Sequence, residues 1–87
     1  MKNIKLFVVE DQEILREAFV EIFSSEPSIR LVGVSVDGSR ENIARALSAA
    51  EPDVVLIGAK RLQPNTFGEL ESIREKYPQV GIILLSG

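Results

Sequence analysis

The chain has 87 residues, 45% of them hydrophobic and 26% charged, with a formal net charge of −3 and neither cysteine nor histidine. This length supports one domain with one core that buries roughly 60–65% of the unfolded surface. The composition excludes disulfides, thiolate catalysis, histidine bases and zinc sites of the usual ligand type, and cations scattered along the chain argue against nucleic-acid binding by the chain itself, since phosphate contacts need a basic stripe.

The start, Met1-Lys2-Asn3-Ile4-Lys5, has no apolar signal core, and apolar runs such as Ile82 to Leu85 fall far short of the roughly 18–20 residues of a membrane span. No membrane segment and a cytoplasmic location are the expectation. Ile4 to Val9 reads as a strand buried on both faces, closed by the acidic Glu10-Asp11. From Gln12 to Ser24, Leu15, Ala18, Phe19, Ile22 and Phe23 recur at helical spacing, with Glu13, Arg16, Glu17 and Glu21 on the other side, which predicts an amphipathic helix. Ser25-Glu26-Pro27-Ser28 breaks it, and Ile29 to Val36, with Arg30, Gly33 and Ser35, reads as an edge strand. Asp37-Gly38-Ser39 is a turn. Ile43, Ala46, Leu47 and Ala50 then mark a second helix that ends before Glu51-Pro52.

Asp53 to Ile57 makes a third strand and Gly58 to Asn65 a loop. Thr66-Phe67-Gly68-Glu69 fits a capping box opening a third helix that runs to about Tyr77, with Phe67, Leu70, Ile73 and Tyr77 on its buried side. Pro78 precedes a fourth apolar strand, Val80 to Leu85. Alternating strands and helices at this spacing predict an α/β fold: a parallel sheet with helices on both faces. Ligands of such sheets bind at the carboxyl ends of the strands, near the point where strand order reverses. That rule selects four segments: Glu10-Asp11, Val36 to Ser39, Gly58 to Asn65 and Ser86-Gly87. No Gly-x-Gly-x-x-Gly or Gly-Lys-Ser/Thr phosphate loop occurs, which argues against a nucleotide pocket.

Three stretches resemble response-regulator receiver domains, the CheY-like, flavodoxin-like fold, and most nearly those of NarL/FixJ-type regulators. They are Val8-Val9-Glu10-Asp11-Gln12-Glu13-Ile14-Leu15-Arg16-Glu17, Glu26-Pro27-Ser28-Ile29-Arg30-Leu31-Val32-Gly33-Val34 and Pro52-Asp53-Val54-Val55-Leu56-Ile57. The resemblance covers residues 1–87 as a single incomplete domain, about four of the family's five βα units. It implies a Mg²⁺ site built from the acidic pair Glu10 and Asp11 together with the backbone carbonyl of Lys60, and a switch hydroxyl at Ser86. It also implies a phosphoacceptor aspartate where this chain has Gly58. Glycine offers neither nucleophile nor metal ligand, so the expectation is an atypical receiver with no cofactor, or at most weak or vestigial Mg²⁺ binding, and no aspartyl phosphorylation.

The loop departs from the family as well. Pro64 and Gly68 lie six and ten residues beyond Gly58, against four and eight in the family, and Lys60 and Arg61 stand where metal and phosphate would sit. One reading pairs Lys60 or Arg61 with Glu10 or Asp11 in place of the metal; the simpler one makes them surface residues. For the acidic pair the simpler reading is that Asp11 caps the first helix and Glu10 is a solvated loop residue, and for Ser86 it is a terminal polar residue with a local partner.

The resemblance implies a phosphorylation-independent interaction or dimerisation module of a transcriptional regulator, not an enzyme, with a DNA-binding domain elsewhere in a longer protein. A complete receiver would continue through a further helix, strand and helix. Their lack would leave the fourth strand as an open edge and favour a homodimer or swapped assembly; alternatively the chain is a piece of a longer regulator. The competing function is a phosphorylatable, Mg²⁺-dependent receiver with a non-standard acceptor, for which Asp53 and Glu69 are the candidates.

Overall fold

A computed structural model describes residues 3–36, 40–59 and 66–86. The apolar runs become four parallel strands, β1 (Ile4–Val9), β2 (Ile29–Ser35), β3 (Val54–Ala59) and β4 (Gly81–Ser86), and the amphipathic segments become α1 (Glu13–Ser24), α2 (Arg40–Ala50) and α3 (Thr66–Lys76). The sheet order is β2-β1-β3-β4. The chain therefore steps from β1 to one side and returns to the other, so strand order reverses at β1, and the carboxyl ends of β1 and β3 flank the crevice where doubly wound sheets bind ligands.

Side chains alternate across the sheet with the strand period of two. Phe7, Val9, Val55 and Ile57 face one way and form the larger core with Ile43 and Leu47 of α2 and Leu70 and Ile73 of α3, while half-buried Tyr77 packs on its margin. Leu6, Val8 and Leu56 face the other way, against Phe19 and Phe23 of α1. The edge position expected for the second strand is the one observed. Within β2, Leu6 pairs with Leu31 but Phe7 pairs with Gly33, so the register slips by one residue at Val32, a β-bulge. The slip sets Gly33 under the Phe7 ring, where an added Cβ would stand 2.5 Å from Cε2 and 2.8 Å from Cδ2.

Four sequence expectations need correction. None of the α1 residues is fully buried: Leu15 is 42% and Ile22 59% exposed. The helix rests on the sheet through Phe19 and Phe23, whose rings lie 6.0 Å apart, and those two aromatics leave the flanking aliphatics outside the contact. The α1 N-cap is Gln12, in extended backbone with no side-chain cap bond, not Asp11, which is exposed. Glu10 is not solvated; it is buried. Finally, β3 does not stop at Ile57. Its pairing with β4 continues through Gly58 to Leu85 and Ala59 to Ser86, so Gly58 is a strand residue and not the first residue of a loop. Pairing between distant segments sets a strand's end, and the local preference of glycine for turns is overridden.

The expected turn at Asp37-Gly38-Ser39 lies outside the described residues, as do Lys60, Arg61 and Pro64, and so does the side-chain half of the Thr66 and Glu69 capping box. Among the described residues no helix is long and apolar enough to cross a membrane.

Candidate functional site

The site expected at the strand ends is built around Glu10. The β1 and β3 register pairs Val8 with Leu56 and Val9 with Ile57, and one residue further on Glu10 arrives beside Gly58. Glu10 is only 4% exposed. Among the described residues, three hydrogen bonds hold it. Its main-chain N–H donates to the Ser35 carbonyl at 2.9 Å, its carbonyl accepts from Arg16 Nη1 at 3.0 Å, and its carboxylate Oε2 accepts from the Gln12 N–H at 3.1 Å. The last bond satisfies a donor at the start of α1 that has no partner within the helix, which is how the helix manages without a capping side chain at Gln12.

The Glu10 side chain extends over Gly58. A Cβ built on Gly58 would stand 2.7 Å from the Glu10 carboxyl carbon and 3.1 Å from Oε2, with Oε1 nearer still. Real Cβ atoms do not sit this close to another heavy atom. The place that an aspartate side chain would start from is filled by the carboxylate of Glu10, the residue that follows β1.

Asp11, the other half of the acidic pair, is exposed, so the two carboxylates part: one turns inward and one outward. Arg16 is a cation that the structure brings to this corner, where the sequence points instead to Lys60 and Arg61. A signal for Arg16 existed, since it lies one helical turn past Gln12. Ser86 ends β4 opposite Ala59, and its side chain lies outside the described residues.

The donors present fit Mg²⁺ poorly. That ion needs hard oxygens converging in near-octahedral geometry, yet among the described residues no three of Asp, Glu, His or Cys gather to hold a metal. No buried side-chain nitrogen or oxygen there is left without a partner, and one Glu10 oxygen is already committed to Gln12. The Lys60 carbonyl lies outside the described residues.

Asp53, a candidate alternative acceptor, sits at the opposite end of the sheet. Its carboxylate accepts the Lys5 N–H at 2.8 Å, and its own N–H donates to the Lys5 carbonyl at 2.8 Å. The side chain thereby closes the ladder where β1 and β3 begin. Glu69, the other candidate, is in α3, and its side chain lies outside the described residues.

This geometry can be set beside known proteins. No family model matches the chain. A transcriptional regulatory protein DegU from Brevibacillus brevis is 26% identical over 84 residues, covering 97% of this chain and 35% of that protein. A protein-glutamate methylesterase/protein-glutamine glutaminase from Syntrophus aciditrophicus is 31% identical over 81 residues, 93% of this chain but 23% of the enzyme, so the activity in its name does not pass to this chain. Among solved structures, the RcsB response regulator of Salmonella typhimurium superimposes with a TM-score of 0.80 at 16% identity, over 99% of this chain and 43% of that one. The signal receiver domain of a NarL response regulator from Mycobacterium tuberculosis gives 0.76 at 22% identity, over 99% and 68%. The fold is the flavodoxin-like α/β class with its crevice at the β1/β3 switch point. The chain is similar in fold and in sequence to the receiver domains of response regulators, and it spans about a third or less of the curated relatives described here.

Proposed function

We propose that this receiver domain works without aspartyl phosphorylation, as a protein-interaction and dimerisation module of a larger transcriptional regulator in the cytoplasm. The observation that carries the reading is Gly58 at the acceptor position with the Glu10 carboxylate lodged against it. A receiver built this way has no nucleophile at the end of β3 and a poor Mg²⁺ donor set, so metal binding is weak or lacking. Signal then enters through contacts. The net charge of −3 supports placing any DNA contact in another domain, consistent with the relative named as a transcriptional regulatory protein.

The surface offered for association is the β4 side of the sheet. β4 is an edge strand, and Ile83 and Leu85, on the face that carries α1, are 49% and 42% exposed. The register places Ile83 beside Leu56 and Leu85 beside Gly58, so this apolar strip adjoins the altered site. Exposed apolar neighbours on one face favour contact with a second chain.

Incubation with acetyl phosphate and MgCl₂ followed by intact-mass spectrometry tests the reading. The expected result is an unchanged mass. An acid-stable, base-labile acyl phosphate would overturn it.

A further inference from the structure

We infer that α1 is a strap over the sheet: it opens as a unit while the larger core stays folded, and it is tied to the strand-end corner through Glu10. The inference goes beyond the proposed function. It rests on packing and helix chemistry alone and holds whether or not the site takes a phosphoryl group.

α1 differs from the other two helices in how it is held. α2 buries Ile43 and Leu47 and α3 buries Leu70 and Ile73, each at 7% exposure or less, whereas α1 has no buried residue. It rests on Leu6, Val8 and Leu56 through Phe19 and Phe23, both half-buried. Its own residues add little. Glu13, Glu17 and Glu21 are exposed and recur every four residues, so like charges meet along one side of the helix. Gln12 gives no side-chain cap bond, and the last turn has no basic residue to offset the negative end of the helix dipole. At 12 residues the helix is marginal by itself and depends on its packing.

Two bonds link α1 to the end of β1. The Gln12 N–H donates to Glu10 Oε2 and Arg16 Nη1 donates to the Glu10 carbonyl. Opening of α1 breaks both, so the helix and the corner beside Gly58 change together. It also uncovers Leu6, Val8 and Leu56, on the sheet face where Ile83 and Leu85 are already exposed. The open form thus carries an apolar strip across β1, β3 and β4. A partner that binds this strip favours the open state, and one that binds the outer side of α1 favours the closed one.

Native-state hydrogen exchange on the full chain tests this. The α1 amides with intrahelical partners, Arg16 to Ser24, are expected to exchange at least about tenfold faster than the slowest amides of β1 and β3, after correction for intrinsic rates. Ile73→Val discriminates further, because it thins the larger core on the opposite sheet face. It is expected to raise exchange in α3 and β3 about two- to tenfold and to leave α1 unchanged. An equal rise in α1 would show that the helix opens only with the whole domain and would overturn the inference. Should Ile73→Val fail to fold, low urea on the wild type makes the same distinction: exchange in β3 rises with urea and exchange in α1 stays flat. Arg16→Met keeps helix propensity and the apolar stem but removes one tie, and it is expected to speed α1 exchange about two- to tenfold. No change there would sink the link to Glu10.

Discussion

The Asp53 carboxylate accepts the Lys5 main-chain N–H at 2.8 Å, joining residues 48 positions apart in the chain. The bond lies at the amino ends of β1 and β3, across the sheet from Glu10 and Gly58, and it gives Asp53 a structural role that accounts for a carboxylate at the mouth of an otherwise apolar strand. Asp53→Ala leaves a part-buried N–H without its acceptor and is expected to cost about 1–3 kcal/mol. Asp53→Asn keeps an acceptor oxygen and should cost less. Urea unfolding of the two variants checks the order, and equal losses would mean that the hydrogen bond contributes nothing specific.

Gly33 and Phe7 set a second requirement. With Phe7 Cε2 at 2.5 Å from an added Cβ, Gly33→Ala must push the ring out of the larger core and is expected to destabilise by about 1–3 kcal/mol. Adding Phe7→Leu should recover part of that loss, since the smaller side chain clears the methyl group. Chemical denaturation of the single and double variants measures it, and additive losses would rule out the steric account.

Glu51 follows α2 with φ of 47°, in the left-handed region that costs a residue with a Cβ roughly 1–2 kcal/mol. Its N–H closes the helix by donating to the Leu47 carbonyl at 3.2 Å, and buried Pro52 follows. Glu51→Gly is therefore expected to stabilise by about 0.5–1 kcal/mol, after the added chain entropy of glycine in the unfolded state offsets part of the gain. A lower melting temperature for this variant would contradict the backbone argument.

The exposed strip on β4 separates association from folding. Ile83→Lys and Leu85→Lys change surface positions and should shift stability by no more than about 0.5 kcal/mol. Under the proposed function they convert a dimer to a monomer. Size-exclusion chromatography with light scattering reads this directly. A wild-type chain that is already a compact monomer at all concentrations tested would remove the dimerisation part of the proposal.

Much of the fold was legible in the chain because its signals are local. The apolar run Ile4–Val9 and the periodic placement of Ile43 and Leu47 each match one element's geometry, and both survive in the structure. The errors fall where a second element intervenes. Leu15 and Ile22 carry the helical period of Phe19 and Phe23, yet only the aromatics reach the sheet, because the position of α1 over β1 and β2 selects which part of a broad apolar face makes contact. Asp11 looked like a cap by residue type, but the Glu10 carboxylate bonds the first-turn donor at Gln12 instead.

The sequence by itself determined the alternation of strand and helix, the resemblance to receiver domains and the lack of any side chain at position 58. Those properties follow from residue types and short-range periodicity. Only the tertiary structure decided that position 58 lies inside a strand, and that the space above it belongs to Glu10. Both depend on the register between β1, β3 and β4, which pairs residues 48 apart for β1 with β3 and 27 apart for β3 with β4 and leaves no local trace at either glutamate or glycine.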